Sequence, residues 1–538
     1  EQFVKGFQEA PEDPTHLLAS ACCKHYVANE MESTTQPDGE HQDRNHVDTM
    51  VSMQDLVDSY MRPFQACVEK GQVSSLMCSY NAVNGKPSCA NEWLLGTVAR
   101  ETWNFNGYIT SDCDADGDVY SSHHYTETPE EAVKAVLGAG TDVDCGDFVS
   151  TYAHSALQKG LITEQDIDER LQYLFIVRMR LGHFDPPTWK DSIPESTVCS
   201  SESITMSYDA VAQSAALLKN EENRLPLNRE TAGLVAVIGP TANLSRADSW
   251  YYGPTKPCSA RTWTVAEVVA AQGVNTECAA GVVNVTTEDI SGVREAALLA
   301  ARADTVILAV GTSLDWAGEG HDAKNISLTD AQARLINQVA DSATNPIVVL
   351  VLTANPVDLS EVLRHPKVGA VLHLGQPSIA IYGVAGILFG DRSPAGRLVQ
   401  TIYESSYQNE VSIFDFNMRP GPSPFARPDC TNQNSSLCPR GTNPGRTYRF
   451  FTGTPVMPFG FGLSYTKFEY KIISAPYSVP LLHLQELVGN ARHRGVPFLR
   501  QQDLLMAGSM IQWAEQAQYV VNVTNAGSTD ADDVVLGF

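Results

Sequence analysis

Four short runs of nearly uninterrupted apolar residues fix the middle of this chain: Leu234–Ile238, residues 305–310, Ile347–Leu352 and residues 368–372. A strand with one wet face alternates apolar and polar side chains. Runs without that alternation belong to strands covered on both faces, as in a parallel sheet. Residues 293–303, Asp330–Ser342 and residues 378–389 lie between or after the runs and carry helical patterning. Residues 203–404 are therefore predicted to form an α/β unit around a buried sheet.

Upstream, over residues 1–190, strand-like and helix-like stretches also alternate. Strands are predicted at 19–26, 73–79, at the run ending in Asp112, and at 141–145, with helices at 53–70, 90–102, 129–137 and 163–181. Thr163 is the predicted N-cap of the last helix, with Asp166 in the capping-box position. The strands end in Lys24-His25, Tyr80-Asn81, Asp112 and Asp144-Cys145. Polar groups converging from several strand ends are what the active face of a (β/α)₈ barrel presents. Only four or five strands are legible, whereas a closed barrel needs about eight. Part of the barrel is therefore expected to precede residue 1.

A Pro-rich stretch over 184–197 marks a linker, placed at 191–202 between the two units. Residues 405–444 are Pro/Asn/Ser-rich, and 405–465 read as an irregular connection. Residues 519–525 and 532–538 alternate as strands around the Ala526-Gly-Ser-Thr turn, the start of an all-β domain over 466–538. Too few strands follow for an independent sandwich, so this end is also expected to be cut.

Composition narrows the partners. With 43% hydrophobic and 19% charged residues the chain is an ordinary globular one. A net charge of −26 argues against nucleic acid or an anionic membrane surface. No apolar run reaches membrane-spanning length, and the first residues lack a signal-peptide core. Twelve cysteines form an even set, and Cys430 and Cys438 bracket a loop as a local disulfide would. Cys22, Cys23, Cys78 and Cys113 also suit buried free thiols beside apolar strands. Asn-x-Ser/Thr sequons stand at Asn243, Asn284, Asn325, Asn434 and Asn522. Cysteines and sequons together favour secretion.

The segment Gly107-Tyr-Ile-Thr-Ser-Asp112-Cys-Asp114-Ala-Asp116-Gly-Asp118 admits two chemistries. Asp112, Asp114, Asp116 and Gly117 match the opening of a calcium loop, but the twelfth position is His123 instead of Glu, and a strand precedes it where a helix should. A carboxylate nucleophile at a strand end fits better. Gly318-Glu-Gly320-His-Asp-Ala323 fits a dinucleotide fingerprint, yet seven residues separate it from its strand and the next helix begins only near Asp330. Its other reading is a loop presenting Glu319, with Asp315, Trp316, His321 and Asp322, to a site. No G-x-S-x-G, H-E-x-x-H or C-x-x-C occurs to support a serine hydrolase elbow or a zinc site.

Cys23-Lys-His-Tyr26, Ser75-Leu-Met-Cys-Ser-Tyr-Asn-Ala-Val-Asn-Gly85 and Gly107-Tyr-Ile-Thr-Ser-Asp-Cys113 closely resemble glycoside hydrolase family 3. So do Leu218-Lys-Asn220, Val237-Ile-Gly-Pro-Thr-Ala-Asn243, Gly396-Arg-Leu398 and Phe459-Gly-Phe-Gly-Leu-Ser-Tyr465. The resemblance runs in order through nearly the whole chain. It is strongest to the secreted β-xylosidase branch, through Cys22-Cys23, Ser111-Asp-Cys-Asp114, Pro129-Glu-Glu-Ala132 and Asp142-Val-Asp-Cys-Gly146. It implies a TIM-like (β/α)₈ barrel, here partial, then an (α/β)₆ sandwich and the beginning of a fibronectin III-like domain.

The resemblance also implies roles. Asp112 matches the nucleophile of a retaining glycosidase, with Lys24 near enough to help keep it charged. Lys24 and His25 match the pair that holds sugar hydroxyls, and Met77 and Tyr80 match the wall beside the nucleophile. Asp114 and Asp116 either orient the segment or are solvated turn residues, and the plainer reading is preferred. Glu319 is the match for the acid/base, with Asp315 second; related β-xylosidases often carry Glu-x-Glu where this chain has Ala317-Gly-Glu319. The expected activity is exo-acting, retaining release of β-D-xylose from xylo-oligosaccharides, without metal or cofactor. The alternatives are an α-L-arabinofuranosidase or bifunctional enzyme, and an inactive or carbohydrate-binding remnant.

Overall fold

The computed structural model describes residues 1–35, 41–186, 194–243, 262–430, 437–476 and 518–537, with 489 and 493. The chain divides into two compact units. The first comprises Glu1–Asp191, Ser412–Asn443 and Ile472–Val521; the second comprises Ser192–Val411, Pro444–Lys471 and Asn522–Phe538.

In the first unit, β1 (Cys22–Tyr26), β2 (Ser75–Cys78) and β3 (Tyr108–Ser111) form a parallel sheet in chain order. The strand predicted at 141–145 is reduced to one parallel bridge, Thr110 to Val143, in the next position across. Leu76 and Ile109 are fully buried at the centre of the strands they belong to. The helical stretch over 53–70 is present but under-wound in places: Met61 N–H donates five residues back to Leu56 O at 2.9 Å. Thr128 and Thr163 cap their helices through reciprocal bonds with Glu131 and Asp166, so the sequence signal at Thr163 is borne out. The segment read as irregular contributes a hairpin, Gly421–Ala426 with Arg440–Asn443. Its neighbours Phe414 and Phe416 enter the core of the first unit.

Three cysteines suited to free thiols are instead bridged: Cys23 to Cys67, Cys78 to Cys89 and Cys113 to Cys145. Cys430 pairs with Cys438 as expected, and Cys22 is free. Spacing could not reveal the first three, because their partners are brought near only by strand order.

The second unit is built on a six-stranded sheet. Its strands are β4 (Ala216–Asn220), β5 (Leu234–Ile238), β6 (Asn275–Ala279), β7 (Thr305–Gly311), β8 (Ile347–Leu352) and β9 (Val368–Gly375), in the order β6-β5-β7-β8-β9-β4. All pairs are parallel except β9 with β4. The side chains of β7 and β8 are buried on both faces, which is why their sequences show no alternation. Two separate apolar clusters lie against the sheet: helices Val293–Arg302 and Asp330–Ser342 contribute to one, and Val265–Ala270 and Val384–Leu388 to the other. This is the covered α/β sheet that the apolar runs predicted. β4 and β6 escaped notice because β4 ends in Lys219-Asn220 and β6, at the edge, is mostly polar.

Phe468–Ser474 and Val520–Asn525 pair in a two-stranded sheet, whereas residues 532–537 form no strand. Of the predicted 191–202 linker, residues 194–202 are described and carry the short helix Glu195–Val198 and the start of Ser201–Ser214, while residues 191–193 and the sequon at Asn434 lie outside the described residues. No described helix is long and apolar enough to cross a membrane.

Candidate active site

The rim of the first unit is built by strand ends. The backbone N–H of Asp112, just past β3, donates to Cys78 O at the end of β2 at 3.0 Å, which holds the two strand ends level. Across the next gap Ser111 N–H donates to Val143 O at 2.9 Å, and the Cys113–Cys145 disulfide closes the same junction. Asp114 then takes a left-handed conformation, φ 67°, and starts helix Ala115–Ser121. Asp112 is thereby fixed between a strand and a helix, with its side chain only 12% exposed.

β1 loses register with β2 between Cys23 and Tyr26, and His25 turns toward the carboxylate. His25 Nε2 lies 3.4 Å from Asp112 Oδ2. Burial lowers the His25 pKa and Asp112 opposes that shift, so a largely neutral imidazole faces the acid at neutral pH. Tyr80, beyond β2, hydrogen-bonds Asp112 through its hydroxyl; burial and the carboxylate together raise its pKa well above the usual phenol range. Met77 is half-buried on β2. Lys24 is exposed and, among the described residues, makes no ion pair with Asp112; the expectation that it sits against the nucleophile is replaced by His25 and Tyr80.

Sequence reasoning missed a second layer here. The Arg44 guanidinium stacks over the Tyr80 ring at 4.5 Å and bonds Glu32 at 3.1 Å. His123 Nε2 contacts Tyr80 O at 2.7 Å, and burial keeps this imidazole neutral, so it donates to the carbonyl instead of ligating calcium. Asp118 accepts from Asn45 Nδ2 at 2.6 Å. The hairpin of Ser33–Thr35 with His41–Asp43 precedes Arg44 and Asn45, and its short, polar strands gave no periodic signal.

The plain reading of Asp116 is overturned. Its side chain is fully buried and neither carboxylate oxygen has a hydrogen-bond partner among the described residues. Burial first, and then Asp144, push its pKa far up, so it is protonated. Cys78, Cys89 and Asp116 lie within ligand distance of one another, but the two sulfurs are bonded to each other and offer no thiolate. Asp114 keeps the plainer reading: it is exposed at the turn into Ala115–Ser121, and its backbone N–H donates to Cys145 O at 2.8 Å.

In the second unit the loop after β7 carries the other candidate carboxylates. Gly318 and His321 exchange backbone hydrogen bonds of 3.2 and 3.1 Å, closing a tight turn with Glu319 and Gly320 at its tip. Gly320 has φ +86°, which a side chain would resist. Trp316 packs back on the apolar cluster, while Glu319, Asp315 and His321 are exposed. Asp330–Ser342 starts well after this turn, capped by Thr329, so the Gly-x-Gly pattern does not open a helix.

A rim of parallel strands carrying a shielded carboxylate, and a separate covered sheet carrying a second one on a loop, define a two-unit α/β protein with candidate carboxylates after strand ends. The chain belongs to glycosyl hydrolase family 3: the family's N terminal domain matches residues 1–177 and its C-terminal domain residues 215–465. Probable beta-D-xylosidase 6 of Arabidopsis thaliana is 35% identical over 100% of this chain and 68% of its own length. Beta-xylosidase/alpha-L-arabinofuranosidase 2 of Medicago sativa subsp. varia is 37% identical over 89% of this chain and 59% of its own. A solved GH3 exo-beta-xylosidase (XlnD), in complex with a xylobiose aziridine activity based probe, superposes with a TM-score of 0.76 at 32% identity. That match covers 88% of this chain and 58% of the other. The chain thus spans about 58–68% of the length of these relatives.

Proposed function

We propose that the whole protein is a secreted, exo-acting retaining glycosidase that releases β-D-xylose from the non-reducing ends of xylo-oligosaccharides. The observation that carries this reading is Asp112 at a strand end, shielded from water, with His25 and Tyr80 on its oxygens. Ionised, Asp112 attacks the anomeric carbon and forms a glycosyl-enzyme, while the aglycone leaves with a proton from an acid/base, assigned to Glu319. The same group, now a base, takes a proton from water, and the sugar departs with its configuration retained. Tyr80 donates to Asp112 and releases that bond as the carboxylate becomes an ester. His25 and Lys24 hold sugar hydroxyls, and Met77 supplies an apolar wall.

The names of the relatives support xylose as the sugar, and the second of them keeps an α-L-arabinofuranosidase or bifunctional reading in view. Disulfides in the first unit agree with an oxidising, extracellular setting. Nitrophenyl β-xyloside, α-arabinofuranoside and β-glucoside, assayed side by side with NMR of the first-formed anomer, test the proposal. Xyloside turnover with β-xylose formed first is expected. Preferred arabinofuranoside turnover selects the second reading, and α-xylose formed first removes the retaining mechanism.

A further inference from the structure

At the N-terminal ends of the parallel strands, away from the loop that follows β7, the second unit encloses a cleft of about 940 Å³. Asn223, Arg224, Asn228, Asp304, Asn345 and Gly369 line it, from the segments that lead into β5, β7, β8 and β9. Open α/β sheets usually bind ligands at the other end, so this cleft is not a by-product of the expected site.

Arg224 is the informative residue. It follows the Glu221–Asn223 turn, in which Glu222 and Asn223 have φ of 50° and 55°. Asn220 closes that turn, donating to Leu225 O and accepting from Leu225 N, both at 2.8 Å. The Arg224 stem is packed so closely that a Cβ on Gly369 would lie 3.1 Å from its Cγ. Its guanidinium has no hydrogen bond or ion pair among the described residues, and Nε and Nη2 are sealed from water. Burial alone pushes its pKa down. A half-buried cation with two sealed nitrogens can be met only through Nη1, from the cleft.

The rest of the lining says what kind of acceptor fits. Asp304 uses Oδ2 on Leu234 N–H at 2.8 Å, and Asn345 Nδ2 donates to Asp304 O at 3.0 Å. The Asn345 amide oxygen and the Glu222 and Asp304 carboxylates remain to accept from hydroxyls. Pro226, Pro346 and Pro366 offer apolar faces for C–H groups. A phosphate dianion would bring two charges beside Glu221, Glu222 and Asp304, and a neutral sugar would leave Arg224 unmet.

We propose that this cleft binds a uronic acid unit, its carboxylate on Arg224 and its hydroxyls on Asn345 and the carboxylates. Isothermal titration of the 538-residue chain with sodium D-glucuronate, D-glucose and inorganic phosphate tests it. Glucuronate should bind and the other two should not. Arg224→Met, which keeps an apolar stem, should weaken glucuronate roughly 10-fold or more, while Asp112→Asn leaves it unchanged. If Arg224→Met does not fold, Asn345→Ala should weaken it roughly 5-fold. A xylan bearing glucuronate side groups that binds more tightly than the free acid identifies the polymer-borne unit as ligand; equal affinity identifies the free acid. Undetectable glucuronate binding, equal binding of glucose or phosphate, or affinity indifferent to Arg224→Met overturns the proposal.

Discussion

Asp116 holds a proton because nothing else in its surroundings can neutralise it. Its ordinary pKa is 3.8, and burial raises it well above that. Below the unfolded value both states are protonated and the folded state suffers no penalty. As pH rises, the unfolded chain releases the proton while the folded one retains it, so stability falls toward the folded pKa. Asp116→Asn removes this linkage. Thermal unfolding should show little difference near pH 4 and a more stable variant at pH 7, by roughly 1–3 kcal/mol. A gap independent of pH would mean that Asp116 ionises in the fold. The role proposed for Tyr80 is in the chemistry instead. Tyr80→Phe removes the hydroxyl bond to Asp112, and kcat/KM on nitrophenyl xyloside should fall roughly 10- to 100-fold with stability nearly intact.

At the scale of elements, β3 is anchored by a buried ion cluster. Asp142 accepts from Ile109 N–H at 2.7 Å, bonds Arg100 and lies 3.3 Å from Arg170. Arg100 belongs to the Trp93–Thr102 helical stretch and Arg170 to Glu164–Arg180. Asp142→Ala leaves the buried Arg100 without its carboxylate and Arg170 with Glu169 alone, and should destabilise by roughly 3–5 kcal/mol in denaturant unfolding. The loop after β7 carries its own prediction. Glu319→Ala should slow substrates with poor leaving groups far more than activated aryl xylosides, and added azide should yield β-xylosyl azide. Wild-type behaviour in Glu319→Ala alongside a defect in Asp315→Ala would transfer the acid/base role to Asp315.

These elements differ in how readable they were. β5 and β8 were legible residue for residue, because burial on both faces leaves an unbroken apolar signature. Asp112 was legible because its strand stops where acids begin. The Arg44 layer and the hairpin before it were not, since short polar strands carry no period. Asp116 misled because an acid in a run of acids resembles a solvated turn, and only the helix that starts at Ala115 turns it inward. Phe414 and Phe416 were lost in a stretch whose Pro/Asn/Ser content reads as loop.

For the whole molecule, family membership makes the chain one of glycosyl hydrolase family 3, and the proposed nucleophile is Asp112. Each unit offers a candidate carboxylate, yet only Asp112 is both shielded and supported by neighbouring donors. Its role is tested most directly by trapping the intermediate. A 2-fluoro xyloside with a good leaving group should inactivate the protein one-for-one, and peptide mapping by mass spectrometry should find the sugar on Asp112. A label on any other carboxylate, or none on a preparation that turns over xyloside, would contradict the account.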